Sequence, residues 1–373
     1  MVRIDSSGRP RVVVVGGGVL GVSAAAQAAA RGARVTLLTD GGLADGASGR
    51  SLAWLNSAGD LPAGYHRLRL LGLDRYRAFA ARTDSTARVA LDGGLRWGDG
   101  VRASFEHQDE IGYPAQWLSR VDVAARFPAV DAGVLPDDGA LFNPGEGWVD
   151  LPSLIDQLAR DLVAAGGAVR TAAGRCAAVV SGGRVTGVRT GSGDVLPADA
   201  VLLATGAAVP GALADLGVQV PDATSNALLV RTRPVDHGLR AVLNTPRVAL
   251  RPAPDGALVM DAAWSEAQVV RRDDGSFDVP DGAVQGLLAE AARVLAGSSE
   301  LTCASYGVGR KPIPGDGHPV LGPVPGVDGL HAAFSHSGAT LGLIAGELLA
   351  GELVGGDPSP LLADFRPARF GCG

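Results

Sequence analysis

One stretch, residues 11–40, limits what this chain can become. It opens with the β-branched run Val12-Val13-Val14-Val15 and breaks into Gly16-Gly17-Gly18-Val19-Leu20-Gly21. An Ala-rich segment continues to Arg31, stops at Gly32, and gives way to Val35-Thr36-Leu37-Leu38. That order reads as strand, tight turn, helix, strand: one βαβ unit of about thirty residues. Gly16, Gly18 and Gly21 carry the G-x-G-x-x-G spacing. The first permits the turn, the second lets a pyrophosphate approach the backbone, and the third lets helix and strand pack closely. The helix start at Val19 and Leu20 offers free N–H groups and a positive dipole end to phosphates. A dinucleotide site is expected here.

The end of the second strand is less regular. An acidic residue usually waits there for the adenosine ribose hydroxyls. In this register the position is Thr39, with Asp40 next. Either Asp40 takes the role after a small shift, Thr39 makes a weaker bond, or Asp40 merely starts a loop. No Arg or Lys occupies 39–45 to meet a 2′-phosphate, which argues against NADP.

The chain has 373 residues, enough for two domains or one large discontinuous pair. Net charge is −6 and no basic run appears, which argues against nucleic-acid binding. Cys176, Cys303 and Cys372 are far apart, with no CxxC pair, so neither a metal site nor a disulfide framework is expected. That cysteine usage fits a reducing, cytoplasmic setting. Arg3 before an apolar stretch imitates a signal peptide, yet the glycine turn inside the would-be apolar core fits a βαβ unit better. No apolar run is long enough to predict a membrane span.

After Asp40, residues 41–51 form a small, polar loop in which Ser48 and Ser51 can donate to a bound ligand. A helix is expected over about 63–82, its many arginines on a solvated face. Over 89–142 the helical period is lost, and short strands and turns are expected. Asp150 is a plausible N-cap for a helix over about 152–165. A β meander follows, from Val169 through Pro197, and the apolar run 198–207 looks like another core strand of the first domain. A second excursion, 226–297, holds a strand at 227–231, a hairpin around Pro254-Asp255-Gly256 and a helix over about 283–296. The segment 306–323 reads as loop, 329–334 as a strand, and 335–342 as a loop opening into a helix over about 341–353.

Four separated pieces match one family: the first βαβ unit, the strand Val201–Gly206, Gly309-Arg310-x-Pro-x-Pro-x-Asp-Gly-x-Pro-x-x-Gly, and His336-Ser-Gly-x-Thr-x-Gly. Together they resemble the FAD-dependent D-amino-acid oxidase, glycine oxidase and sarcosine oxidase family. The resemblance implies an α/β fold: a Rossmann-like FAD-binding domain of the D-amino-acid oxidase type, with a discontinuous α+β substrate-binding domain on a mixed sheet. The FAD-binding part would be 1–85, 146–222 and 300–373, and the substrate-binding part 86–145 and 223–299. Gly46, Ala47, Ser48, Arg50 and Ser51 would line the phosphates and ring, and Trp54 would lie beside the isoalloxazine. Cys176 falls where backbone meets adenine. Ala204, Thr205 and Gly206 resemble the strand-to-turn near the cofactor. Gly309, Arg310 and Lys311 sit where the family approaches the flavin and often holds a substrate carboxylate. Ser337, Gly338, Ala339, Thr340 and Leu341 would bring helix N-terminal amides to the flavin pyrimidine edge.

Two departures matter. The position where sarcosine-oxidase-like members tether FAD through cysteine is Gly309 here, with Cys303 upstream, so non-covalent FAD is expected. Those members also use a substrate-domain Lys to activate oxygen, whereas the chain's one lysine, Lys311, falls in the C-terminal loop. Oxygen or another acceptor therefore both remain open. The implied reaction moves a hydride from substrate carbon to flavin N5, leaving an imine that water hydrolyses. The competing readings are a dehydrogenase serving a quinone or protein partner, and a flavin-binding tailoring component with little activity alone. Arg310, with a planar fork suited to a carboxylate, is the first candidate cation, and Lys311 the second; each could equally be a surface charge or a phosphate contact. His336 is either a polar neighbour of substrate or a helix-start residue. Trp264, Arg251 and Tyr65 are candidate pocket walls.

Overall fold

The valine run forms the strand Arg11–Val15, in the interior of a six-stranded sheet. The structure, a computed structural model, describes residues 8–297 and 300–371; Arg3 and Cys372 lie outside the described residues. Arg34–Leu38 and Ala200–Leu203 flank the first strand in parallel. Ala168–Arg170 and Leu330–Phe334 extend the sheet, and antiparallel Val320–Pro323 closes one edge. Both faces are covered, which is why these strands read as continuous apolar runs. On one face the Ala-rich helix Val19–Ala30 packs between Leu151–Ala164 and Gly338–Leu353. Its small side chains allow a close crossing: a Cβ on Gly346 would run into Ser23. On the other face lies the three-stranded sheet Ala177–Ser181, Arg184–Arg189 and Val195–Pro197. Asp150 caps Leu151–Ala164 by accepting the Ser153 N–H at 3.1 Å. That helix delivers the chain to the sheet's open edge, so Ala168–Arg170 joins the parallel sheet instead of the expected meander.

The two excursions meet in an eight-stranded mixed sheet. Its order is Cys303–Lys311, Ser225–Thr232, Leu258–Asp261, Ala249–Pro252, Val242–Asn244, Gly94–Arg96, Ala140–Asn143, Gln116–Leu118. All neighbours are antiparallel except Val242–Asn244 with Gly94–Arg96. Helix Asp281–Val294 lays Ala283, Val284, Leu287, Leu288 and Ala291 on this sheet's core.

Three further readings need correction. The 89–142 region contains two helices, Val101–Glu110 and Arg120–Arg126. The first fully buries only Gln108, so it carries no apolar stripe to betray its period, and the second is set by a Ser119/Asp122 capping box. Residues 306–311, read as loop, end the nine-residue strand Cys303–Lys311 at the edge of the larger sheet. Gly307 and Gly309 there mark a close approach rather than a loop: the Arg50 side chain crosses them, 3.3 Å from where a Cβ on Gly309 would sit. Finally, the helix Ala63–Ala80 does not solvate all its arginines, because Arg69 is buried.

Candidate active site

A cavity of about 630 Å³ runs from the glycine turn to the edge of the larger sheet. Gly16, Gly18, Val19 and Leu20 line one end. Gly16 has φ +128°, and a side chain on it would strike the Ala204 carbonyl. Gly21 lies outside the lining; it lets the helix rest on the turn, since a Cβ there would strike the Gly16 carbonyl. The turn is thus a cradle of bare backbone at a helix start, the form a pyrophosphate requires. Thr205 Oγ1, on the cavity wall, is buried with no partner among the described residues. Both observations fit a dinucleotide cofactor.

Thr39 and Asp40 both line the cavity. The Thr39 hydroxyl already donates to the Gly42 carbonyl at 3.2 Å, whereas the exposed Asp40 carboxylate has no hydrogen-bond partner among the described residues. Gly46, Ala47, Ser48, Arg50 and Ser51 form the adjacent wall. Ser48 Oγ accepts the Val19 N–H at 3.1 Å, pinning this turn to the helix start. Arg50 donates to the Asp45 and Gly46 carbonyls, closing its own loop. Cys176 and the strand end Ala204, Thr205 and Gly206 complete that half. Burial, helped by Asp40, pushes the Cys176 thiol up and keeps it protonated.

Gly309, Arg310, His336, Gly338 and Ala339 also line the cavity, Gly338 beside Val19 of the helix start and Gly309 beside Ala47 and Arg50. Arg310 is exposed to the cavity, and no acid pairs with it among the described residues. Lys311, the next residue along the strand, lies outside the lining, with Nζ 2.6 Å from Glu266. His336 is exposed and lines the cavity. Desolvation first, then the Lys311 and Arg69 charges, hold its pKa below the usual histidine value.

Several candidates do not reach the cavity. Ser337 Oγ meets Tyr65 OH at 2.6 Å and accepts from Arg69 Nη1 at 2.7 Å. Thr340 Oγ1 accepts the Asn56 N–H at 3.3 Å, and Leu341 is core. Trp264 lies outside the lining: it packs its ring against Gly286 and the core of the larger sheet and donates Nε1–H to the Arg247 carbonyl at 2.7 Å. Arg251 is buried over the Trp148 ring and donates to the carbonyls of Leu52 and Pro252 at 2.5 and 2.7 Å. Desolvation lowers its pKa to about 10. Trp54 stands behind the wall, its Nε1–H donating to Glu146 Oε2 at 2.9 Å.

Sequence reading missed three groups. Arg69 is a buried cation that bridges Asn56 and Ser337 and so clamps the end of strand Trp54–Leu55 to the start of helix Gly338–Leu353; nothing in its spacing distinguished it from the solvated arginines. Glu146 is fully buried and also accepts Tyr113 O–H at 2.7 Å. Desolvation pushes its carboxyl up to about 7, against the opposing pull of Arg96, Tyr113, Trp54 and Arg69. The third is a hairpin, Val270–Arg271 with Phe277–Asp278, whose Arg271 and Phe277 line the cavity. Its turn signal, Asp273-Asp274-Gly275, was there to be read. Among the described residues no cluster suits a metal ion, and no helix is long and apolar enough to cross a membrane.

A glycine cradle on a parallel sheet, joined along one cavity to the edge of a second mixed sheet, defines a flavin-type oxidoreductase with separate nucleotide and substrate elements. The chain belongs to the FAD dependent oxidoreductase (DAO) family, which it matches over residues 11–352. It is an FAD-dependent enzyme of the amine and amino-acid oxidoreductases. The glycine oxidase of Pseudomonas putida is 28% identical over 375 residues, covering 96% of this chain and 98% of the relative. That of Geobacillus kaustophilus is 26% identical over 363 residues, 91% of each chain. The crystal structure of the Geobacillus kaustophilus glycine oxidase superposes with a TM-score of 0.82 at 24% identity, over 96% of this chain and 99% of that one. An L-amino acid deaminase from Proteus vulgaris shares the fold with a TM-score of 0.81 at 18% identity, over 97% of each chain.

Proposed function

We propose that the enzyme oxidises the C–N bond of a small, carboxylate-bearing amine to an imine, which water then hydrolyses. The observation that carries this reading is Arg310, an exposed guanidinium on the cavity lining with no acidic partner among the described residues. FAD, when bound, supplies the hydride acceptor, N5. The chain's own residues then have little to do beyond holding the substrate in line. Arg310 grips the carboxylate through its planar fork. His336, its pKa lowered, is neutral at neutral pH, so it adds no repulsion toward the amine and can accept one amine N–H. Gly338 and Ala339, at the start of the helix Gly338–Leu353, turn amide N–H groups and a positive dipole end toward developing negative charge.

FAD is held without a covalent bond in this reading. Cys303 lies outside the cavity lining, packs against the second core, and has its thiol pushed up by burial. The strand pairing supports a substrate-binding part of residues 86–145 and 223–311, with the remainder binding FAD. The Lys311–Glu266 pair favours a second reading of the oxidative half-reaction, with an acceptor other than oxygen, since the chain's lysine is already engaged.

The test is product analysis with glycine, sarcosine, D-amino acids and cyclic imino acids. An oxo acid with ammonia or a primary amine is expected from at least one. Peroxide formed in air marks an oxidase; turnover only with a dye or quinone marks a dehydrogenase. Failure of all of these to turn over with any acceptor would sink the proposal.

A further inference from the structure

The cavity holds a second unpaired arginine. We infer that the substrate carries two anionic groups, and that Arg271 binds the second; this rests on the amine-oxidation reading above.

The hairpin bearing Arg271 is fixed beside Arg310. Asn226 is the register partner of Arg310 on the neighbouring strand, and its Nδ2 donates to the Val269 carbonyl at 3.0 Å. That bond holds Val269, the residue before the hairpin, beside the register partner of Arg310. Its other arm is anchored too, because Phe277 and Val279 pack on the core of the larger sheet. The two arginines of the hairpin are sorted. Arg272 meets Asp278 of the hairpin's own second arm at 3.2 Å, while Arg271 joins the cavity lining. Among the described residues, neither Arg271 nor Arg310 has an acidic partner, although the chain has more acids than bases.

Two exposed guanidiniums on one cavity lining, neither with an acidic partner among the described residues, raise the local concentration of anions. One carboxylate satisfies one guanidinium fork. A second fork within the same cavity, carried on a different element, suits an amine whose far end is also acidic: an amino or imino dicarboxylic acid.

The experiment uses the FAD-loaded enzyme and unreactive anions, followed by the perturbation of the flavin visible spectrum. Glutarate and succinate are titrated against butyrate and propionate, their mono-acid counterparts. A charge-assisted pair predicts that the dicarboxylates bind about tenfold tighter or more. Arg271→Gln should erase that preference while leaving mono-acid binding and FAD content unchanged. Arg310→Gln should weaken both classes. Equal binding of mono- and dicarboxylates by the natural protein would overturn the inference, as would a preference that survives Arg271→Gln. Loss of FAD from Arg271→Gln would also overturn it, assigning the arginine to a cofactor phosphate. Because binding is read without turnover, failure here is separable from failure of the oxidation reading, which falls only if no amine is oxidised.

Discussion

The six-stranded and eight-stranded sheets build the two ends of one cavity by different means. At the six-stranded end the wall is backbone: Gly16, Gly18, the 46–51 turn and the strand end at Ala204–Gly206. By the edge of the eight-stranded sheet two long side chains join the lining, Arg310 on that edge strand and Arg271 on the separate two-stranded hairpin. In the proposed reading the backbone wall would hold what all flavin cofactors share. A side-chain wall can be changed one residue at a time without disturbing the sheet beneath. Cofactor recognition should therefore be brittle to small changes, and substrate recognition adjustable.

The comparison breaks most sharply at Gly21. Gly21→Val puts carbon into the Gly16 carbonyl, so helix and turn must separate. No flavin absorbance should accompany the purified protein, even after incubation with FAD; a yellow variant would deny that the wall is rigid backbone. At the other end, Arg310→Ala should leave the flavin bound and the fold intact. It removes a charge-assisted pair worth about 2–4 kcal/mol, or roughly 30- to 1000-fold in kcat/KM. Arg310→Lys should recover part of that loss.

Glu146 tests the seam between the two sheets. Its carboxyl, raised to about 7, is protonated in the fold across a range where the unfolded chain is ionised. The folded state then binds more protons, so stability falls as pH rises. No cost exists below the unfolded value of about 4.5, and the full cost is reached above about 7, of the order of 3 kcal/mol. Glu146→Gln should flatten this part of the stability–pH profile in denaturant titrations. An unchanged slope between those limits would show that the carboxyl is not neutral in the fold. The smallest effect is expected at Trp264→Phe. Losing the bond to the Arg247 carbonyl should cost about 1 kcal/mol of stability with kcat/KM unchanged. A large kinetic effect would return Trp264 to the pocket.

What was legible in the sequence follows the same division. The valine run, the glycine spacing and the apolar strand at 200–203 are local patterns, and each strand and turn they forecast exists. Gly16 could be named because its φ of +128° and the Ala204 carbonyl behind it leave room for glycine alone. The larger sheet was harder. Gly94–Arg96 pairs with Val242–Asn244 across a long chain separation, and no local pattern records such a partner. Glycine also misled at 307 and 309, where it marks the crossing of Arg50 inside a strand. Arg69 and Glu146 were missed because burial of a charge is decided by what packs over it. On the page, Arg69 looks like its exposed neighbours on the same helix.

The most direct measurement is the visible spectrum of the FAD-loaded protein, taken without air before and after adding glycine, sarcosine, D-amino acids, cyclic imino acids and iminodiacetate. The expected result is a two-banded flavin spectrum that bleaches with at least one amine, bleaches far more slowly in Arg310→Ala, and returns when an acceptor is admitted. A bound flavin that no amine bleaches, or one that bleaches equally fast without Arg310, would contradict the assignment of this cavity to amine oxidation.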